Sequence, residues 1–521
     1  MPARVLVVGF DAAEPTLLER WAGEGHLPAL ARLIAAGTAS RLDNCMETLP
    51  GAIWSEIRSG RSCGKAAIFY VPEQIRTGES ALRPLEHDEL DPTDNYWSLA
   101  SEAGRRVCAV DQVEVPLNPD LNGIQVAEWG LHDRNFGERY HPESLRREIE
   151  DRHGRHPVRS CDHYGHGPAD HRRLLDDLLA GAAAKGEFLL DLMRRETWDL
   201  FTTTLSDSHC VGHQFWHYRD PSSPMYQAEP PEDLRDAMLR VYQAQDRTLG
   251  ALIDAAGPDC VVLAVASHGM GPSQAGYHLL PEILARLGMG SDGGRGGLLR
   301  RGQTAVKLAA PLASLPMLRR MLKRVSKLGP VRATRLRAGN SPSPFDSPQA
   351  RAMAIPNKRV GAVRLNLKGR EPHGCVAPGN EERALLEELR DELLQLEDPR
   401  SGVRIVARVD TAEELFGAER HPDLPDLLIV FRTGIGPVDR CRSPRIGEIH
   451  WPYLRRTTYR TEDHTVESRL WAAGPGIAAG GRCDGANILD IAPTVLSLLD
   501  LPLSERFDGR PIPLRGGTAD P

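Results

Sequence analysis

Six short apolar runs punctuate the chain, each followed by polar or Gly-containing residues and then by a helix-like stretch: Arg4–Phe10, Arg106–Val110, Asp199–Leu205, Cys260–Ala266, Asp426–Phe431 and Leu470–Ala473. Strands that alternate with helices in this way build a largely parallel sheet, because a parallel neighbour is reached only by a crossover that packs on the sheet face. The expected fold class is therefore α/β, with a largely parallel central sheet flanked by helices on both faces. In such sheets, ligands gather beyond the carboxyl ends of the strands. The residues that follow these runs are Asp11, then Asp207, His209 and His213, then His268.

The remaining composition narrows the partners. With 521 residues, 41% hydrophobic, 26% charged and a net charge of −7, the chain has no global basic field to hold nucleic acid or an anionic membrane. No apolar run approaches the ~18 residues that span a bilayer, and Val5–Phe10 is too short for a signal segment and ends at an acid. Nine cysteines lie scattered without a CxxC pair. The expectation is a soluble cytoplasmic protein acting on a small molecule, with no nucleic-acid partner and no membrane span. One segment breaks the strand–helix rhythm: from Arg295 to Arg337 there are many Lys and Arg and no Asp or Glu. Residues 291–347 read either as a lid that attracts anions, with 319–328 a basic amphipathic helix, or as a solvated basic insertion.

Five stretches carry residues suited to chemistry. Asp11 ends a strand and either holds a metal or caps the next helix. Thr48, just before Leu-Pro-Gly, is either a nucleophile near a helix start or the cap of that helix, and Ser55 follows about one turn into it. His209 and His213 are four apart, so a helix projects both imidazoles from one face and they can share one ion. His268 ends another strand, and Gly269 after it would let the backbone turn sharply. His464 lies just ahead of the run Leu470–Ala473. Four histidines and an aspartate beside strands form a coherent zinc-type donor set.

Taken together and in order, these stretches resemble the alkaline phosphatase superfamily in its type I phosphodiesterase and nucleotide pyrophosphatase branch. The matching residues are VLVVGFDAAEPTLLERWAGEGHLPALARLIAAG, TLPGAIWSEIRSGRS, HCVGHQFW, SHGMGP, EDHTVESRLWAAGPGI, NILDIAPTVLSLLDLP and FDGRPI. The resemblance implies a core of residues 1–290 and 348–521, with a smaller inserted cap near 350–400, and leaves 291–347 unmatched. It also implies a metal-dependent hydrolase of phosphate esters, most simply a phosphodiesterase, with two metal positions about 4 Å apart and a covalent intermediate on Thr48. On that template Asp11, Thr48 and His268 face one ion, and His213 and His464 face the other. Zinc, as one or two ions, is the expected metal, with manganese the alternative, and the substrate is a small phosphate or sulfate ester.

The chain departs from the family pattern at two ligands. His209 stands where the family usually has Asp, and Ser267 stands where it usually has Asp directly before His-Gly. Asp207 substitutes for the first loss only if its loop shifts. The run from Thr48 to Trp54 is about two residues longer than usual, which makes Ser55 the second candidate hydroxyl. His132 and Asp133, within the stretch EWGLHD (128–133) that follows another strand, have either a substrate-side role or a cap or turn role. Two other functions fit the same scaffold: phosphoryl or sulfuryl transfer in a specialised pathway, and ligand binding without turnover.

Overall fold

The apolar runs are strands. The computed structural model describes residues 4–66, 68–69, 74–79, 82–132, 134–223, 225–272, 276–290, 349–435, 438–450 and 462–515. The basic stretch 291–347, with its expected helix 319–328, and Asp133 lie outside the described residues. The chain forms two compact units, one of residues 1–63, 86–273 and 454–521 and one of residues 64–85 and 274–453.

In chain order the first unit supplies β1 (Arg4–Phe10), β2 (Thr38–Asp43), β3 (Val107–Val110), β4 (Gly123–Ala127), β5 (Arg139–His141), β6 (Leu200–Leu205), β7 (Cys260–Ala266) and β8 (Gly269–Pro272). The second supplies β9 (Ala352–Ile355), β10 (Gly361–Leu365), β11 (Val406–Thr411), β12 (Leu427–Phe431), β13 (Arg440–Ser443) and β14 (Gly447–His450). The chain then returns to the first unit for β15 (Glu462–Thr465), β16 (Arg469–Ala473) and β17 (Ala486–Asn487).

The first unit is built on a nine-stranded sheet of order β17-β2-β16-β7-β1-β6-β3-β4-β5. Its centre, β7-β1-β6-β3-β4, is wholly parallel, and β16 and β5 run against their neighbours. Val5 to Phe10 and the whole of β7 are buried, as the covered faces of a parallel sheet require. Helices Pro168–Arg195 and Ala237–Ala256 contribute Leu174, Leu178, Leu189, Val241 and Leu249 to the core. Truncating one such leucine to alanine costs roughly 2–5 kcal/mol, since a close-packed core cannot collapse into the gap. The carboxylate of Asp246 accepts from Ala29 N and Leu30 N at 3.0 and 2.8 Å, which ties the helix Pro28–Ala36 to the long helix beside it. Buried Lys185 pairs with Asp111 at 2.8 Å, and Asp111 also accepts from Trp129 N and Gly130 N, both at 2.8 Å.

The second unit holds a four-stranded antiparallel sheet of order β11-β12-β10-β9. The run 426–431 is thus a strand as expected, but it belongs to this smaller sheet and not to the parallel one. A continuous apolar run satisfies any strand covered on both faces, whichever direction its neighbours take. Leu385, Leu389 and Leu393, four apart on the helix Asn380–Leu394, pack into the core of this sheet. Arg370 is consumed internally, bonding Glu371 at 2.8 Å and Asp426 at 2.6 Å. Residues 350–400 fall within this unit.

Candidate metal centre

Phe10 of β1 stands in register with Leu205 of β6 on one side and Ala266 of β7 on the other. The residues after these strands therefore emerge at one level. Asp11 N donates to Leu205 O at 3.0 Å and Ser267 N to Phe10 O at 3.3 Å, extending the ladder one step past the strands. The backbone then turns sharply, and Ala12, Asp111 and Glu128, each just past a strand end, have φ of 50°, 52° and 59°. Such left-handed residues are strained, and packing holds them there.

From β6 the chain enters the helix Asp207–Phe215, which places His209 and His213 on one face. Across from it β15 pairs antiparallel with β8, His464 opposite Met270. Three imidazoles converge: His209 Nε2 lies 3.0 Å from His213 Nε2 and 3.1 Å from His464 Nε2. All three residues are buried.

Their outer nitrogens explain why the inner ones can meet. His213 Nδ1 lies 3.0 Å from the carbonyl of Glu462, which only accepts, so Nδ1 carries a proton and, in the neutral imidazole, Nε2 holds the lone pair. His209 Nδ1 donates likewise to Asp11 Oδ2 at 2.7 Å. Two lone pairs 3.0 Å apart repel unless a cation or a proton lies between them. Tetrahedral zinc at 2.0–2.1 Å from each nitrogen separates them by about 3.3 Å, close to the spacing found. The donor set fits the ion, and Asp11–His209 has the form of the carboxylate–histidine pairs that orient metal ligands.

Asp11 has both oxygens engaged, Oδ1 accepting from the indole N–H of Trp54 at 2.9 Å. It caps no helix, since Glu14 caps the helix Pro15–Gly23. His268 stands beside the cluster with its ring centroid 4.4 Å from that of His464 and Nδ1 bonded to Ser267 Oγ at 2.9 Å. Gly269 differs from the expectation of a sharp turn: it begins β8 without a left-handed φ. Its role is space, because a Cβ would lie 2.1 Å from Glu14 Oε2 and 2.3 Å from Thr465 Oγ1. Glu14 Oε2 accepts from Met270 N and Thr465 Oγ1, both at 3.1 Å, and so joins β8 to β15; burial pushes its carboxyl up.

Thr48 Oγ1 donates to the Cys45 carbonyl at 3.1 Å. It is not a helix cap: the 3-10 turn Pro50–Ala52 is preceded by Leu49. Ser55 is buried in the helix Ile53–Ser59, next to Trp54. Asp207 Oδ1 lies 3.7 Å from His156 Nε2, and no contact joins it to the three imidazoles among those described. His132 stacks on His209, with ring centroids 4.2 Å apart and planes at 25°. Sequence reasoning passed over Trp54 and Glu462, because an indole N–H and a backbone carbonyl acquire roles only through packing. It also passed over Cys161 and Cys210, which lie with His132 in a second buried group.

The family model for type I phosphodiesterase / nucleotide pyrophosphatase matches residues 5–451. The chain belongs to that family. Membership makes it a phosphatase-type hydrolase of a metal-dependent superfamily. No curated protein matches it significantly. Crystal structures of phosphonoacetate hydrolase from Sinorhizobium meliloti 1021, in complex with phosphonoformate and with phosphonoacetate, share 14% identity with this phosphodiesterase-family chain over 96% of both chains, with TM-scores of 0.51 and 0.52. At that identity the likeness is one of fold. Among the described residues, no helix is long and apolar enough to cross a membrane.

Proposed function

We propose that this chain hydrolyses a phosphate ester of a small molecule, most simply a diester, at a zinc ion held by His209, His213 and His464. The observation that carries this reading is the convergence of three Nε2 atoms, two of them with lone pairs fixed inward by Asp11 and by the Glu462 carbonyl. An all-imidazole set favours zinc over manganese. When bound, the ion supplies Lewis acidity toward a phosphoryl oxygen.

The chain's own groups do the rest. Asp11 keeps His209 in one tautomer, and Trp54 keeps Asp11 in place. That indole also tethers the segment running back to Thr48. Thr48 is assigned the nucleophilic role: its oxygen bonds to phosphorus as the ester P–O bond breaks, its hydroxyl proton passes to the departing alcohol, and water then cleaves the threonyl phosphate ester to free Thr48 and a phosphate monoester. Ser55 is the competing hydroxyl. A second ion would fall to Asp11, Thr48 and His268, but Asp11 already accepts two hydrogen bonds and Ser267 offers no carboxylate, so one ion at this centre is assigned. Nine free cysteines support a reducing, cytoplasmic setting.

The test is turnover of nitrophenyl phosphate, bis-nitrophenyl phosphate and nitrophenyl sulfate by the zinc-loaded protein, its His213→Ala variant and its Thr48→Ala variant. Zinc-dependent diester cleavage lost in both variants is expected. Absence of turnover across the panel by zinc-loaded protein sinks the reading, whereas an unchanged rate in Thr48→Ala removes only the covalent step.

A further inference from the structure

Cys210 lies one residue beyond His209, on the helix Asp207–Phe215. Its sulfur is 3.2 Å from His132 Nδ1, and Cys161 Sγ is 3.6 Å from the same nitrogen. The three donor atoms all lie within 4.8 Å of one another. They come from three separate segments: the turn after β4, the 3-10 turn Cys161–His163 and the helix. No local sequence motif brings them together; the fold does. Cys161 is fully buried, Cys210 is 3% exposed and His132 is 7% exposed.

The turn that carries His132 is fixed from beneath. Trp129 N and Gly130 N both donate to Asp111, itself locked to Lys185. A site with its ligands held in this way loses little entropy on binding.

We infer that His132, Cys161 and Cys210 form a second metal site, for a thiophilic divalent cation of the zinc class. Around zinc at 2.3 Å from sulfur and 2.0–2.1 Å from nitrogen, tetrahedral geometry sets N–S separations of about 3.6 Å, which matches one observed distance and exceeds the other by a few tenths. Binding releases two thiol protons and forms two metal–sulfur bonds, so two thiolates, a neutral imidazole and a divalent cation sum to zero charge, the arrangement that a buried site tolerates best. This site shares no ligand with the three-histidine centre and does not depend on the reaction proposed there, although His132 stacks on His209.

Cobalt titration of the full-length, chelator-stripped protein tests the site. A thiolate-to-cobalt charge-transfer band in the near ultraviolet is expected, lost in Cys161→Ser and in Cys210→Ser but kept in His464→Ala. No such band, or one that survives both serine substitutions, overturns the proposal. If the serine variants do not fold, zinc-edge X-ray absorption of a zinc-loaded Cys45→Ser/Cys63→Ser protein decides instead, since those two cysteines with Glu56 are the other thiol group close enough to bind an ion among the described residues. Sulfur in the zinc shell supports the site, and a shell of nitrogen and oxygen alone refutes it.

Discussion

His209 Nδ1 lies 2.7 Å from Asp11 Oδ2, so the carboxylate at the end of β1 reaches the imidazole at the start of the helix Asp207–Phe215. An aspartate at position 209 would set two carboxylates against each other, held together only by cations. The imidazole turns that repulsion into a hydrogen bond and makes Asp11 an orienting group. Asp11→Asn should weaken zinc affinity about 10–100-fold, the usual cost of losing such a partner. Competition against a chromophoric chelator measures this, and an unchanged affinity contradicts the orienting role.

Ser267→Asp places a carboxylate beside His268. Its expected effect is uptake of an additional ion, read by elemental analysis after dialysis against zinc. Ser267 Oγ now lies 3.3 Å from the Phe10 carbonyl, so the new carboxylate must rotate away from that oxygen. Stoichiometry equal to the parent's shows that the position cannot be refilled by charge alone.

Gly269→Ala places a methyl group where Glu14 and Thr465 now lie. A destabilisation of about 1–3 kcal/mol is expected from overpacking, together with weaker zinc binding as β15 and His464 shift. Guanidinium unfolding gives the first quantity and chelator competition the second. A variant matching the parent in both shows that the contact relaxes at no cost.

His171 is buried, its Nδ1 2.6 Å from the Tyr218 hydroxyl, and burial brings its pKa down to about 4 from the ordinary 6.5. The folded state then binds fewer protons than the unfolded one between these values. Stability from this group is full above about pH 6.5 and is lost as pH falls toward 4, by at most roughly 3 kcal/mol. His171→Asn, which keeps an acceptor for Tyr218, should remove that share of the slope in unfolding measured across this window. Parallel curves for parent and variant exclude His171 as a source.

The sequence disclosed the strands better than their sheet. Val5–Phe10 and Cys260–Ala266 are uninterrupted apolar runs because both faces are covered, and that pattern survives in one dimension. The run 426–431 has the same appearance for the same reason, yet pairs antiparallel elsewhere. β8 and β15 left little trace, since their residues are chosen for the site: Gly269 for clearance, His464 for its ring. His209 and His213 were legible as a pair because helical spacing is local. The group of His132, Cys161 and Cys210 was not, as a turn after β4, a 3-10 turn between two helices and a helix after β6 meet only in the folded chain.

The common level at which Phe10, Leu205 and Ala266 end has a consequence for how this chain can change. The sheet is a length gauge for the centre: one residue added within β7 would carry His268 about 3.3 Å onward and turn it to the opposite face. Segments beyond the gauge can exchange one donor side chain for another without moving the strands. The strands beneath them are not free to grow.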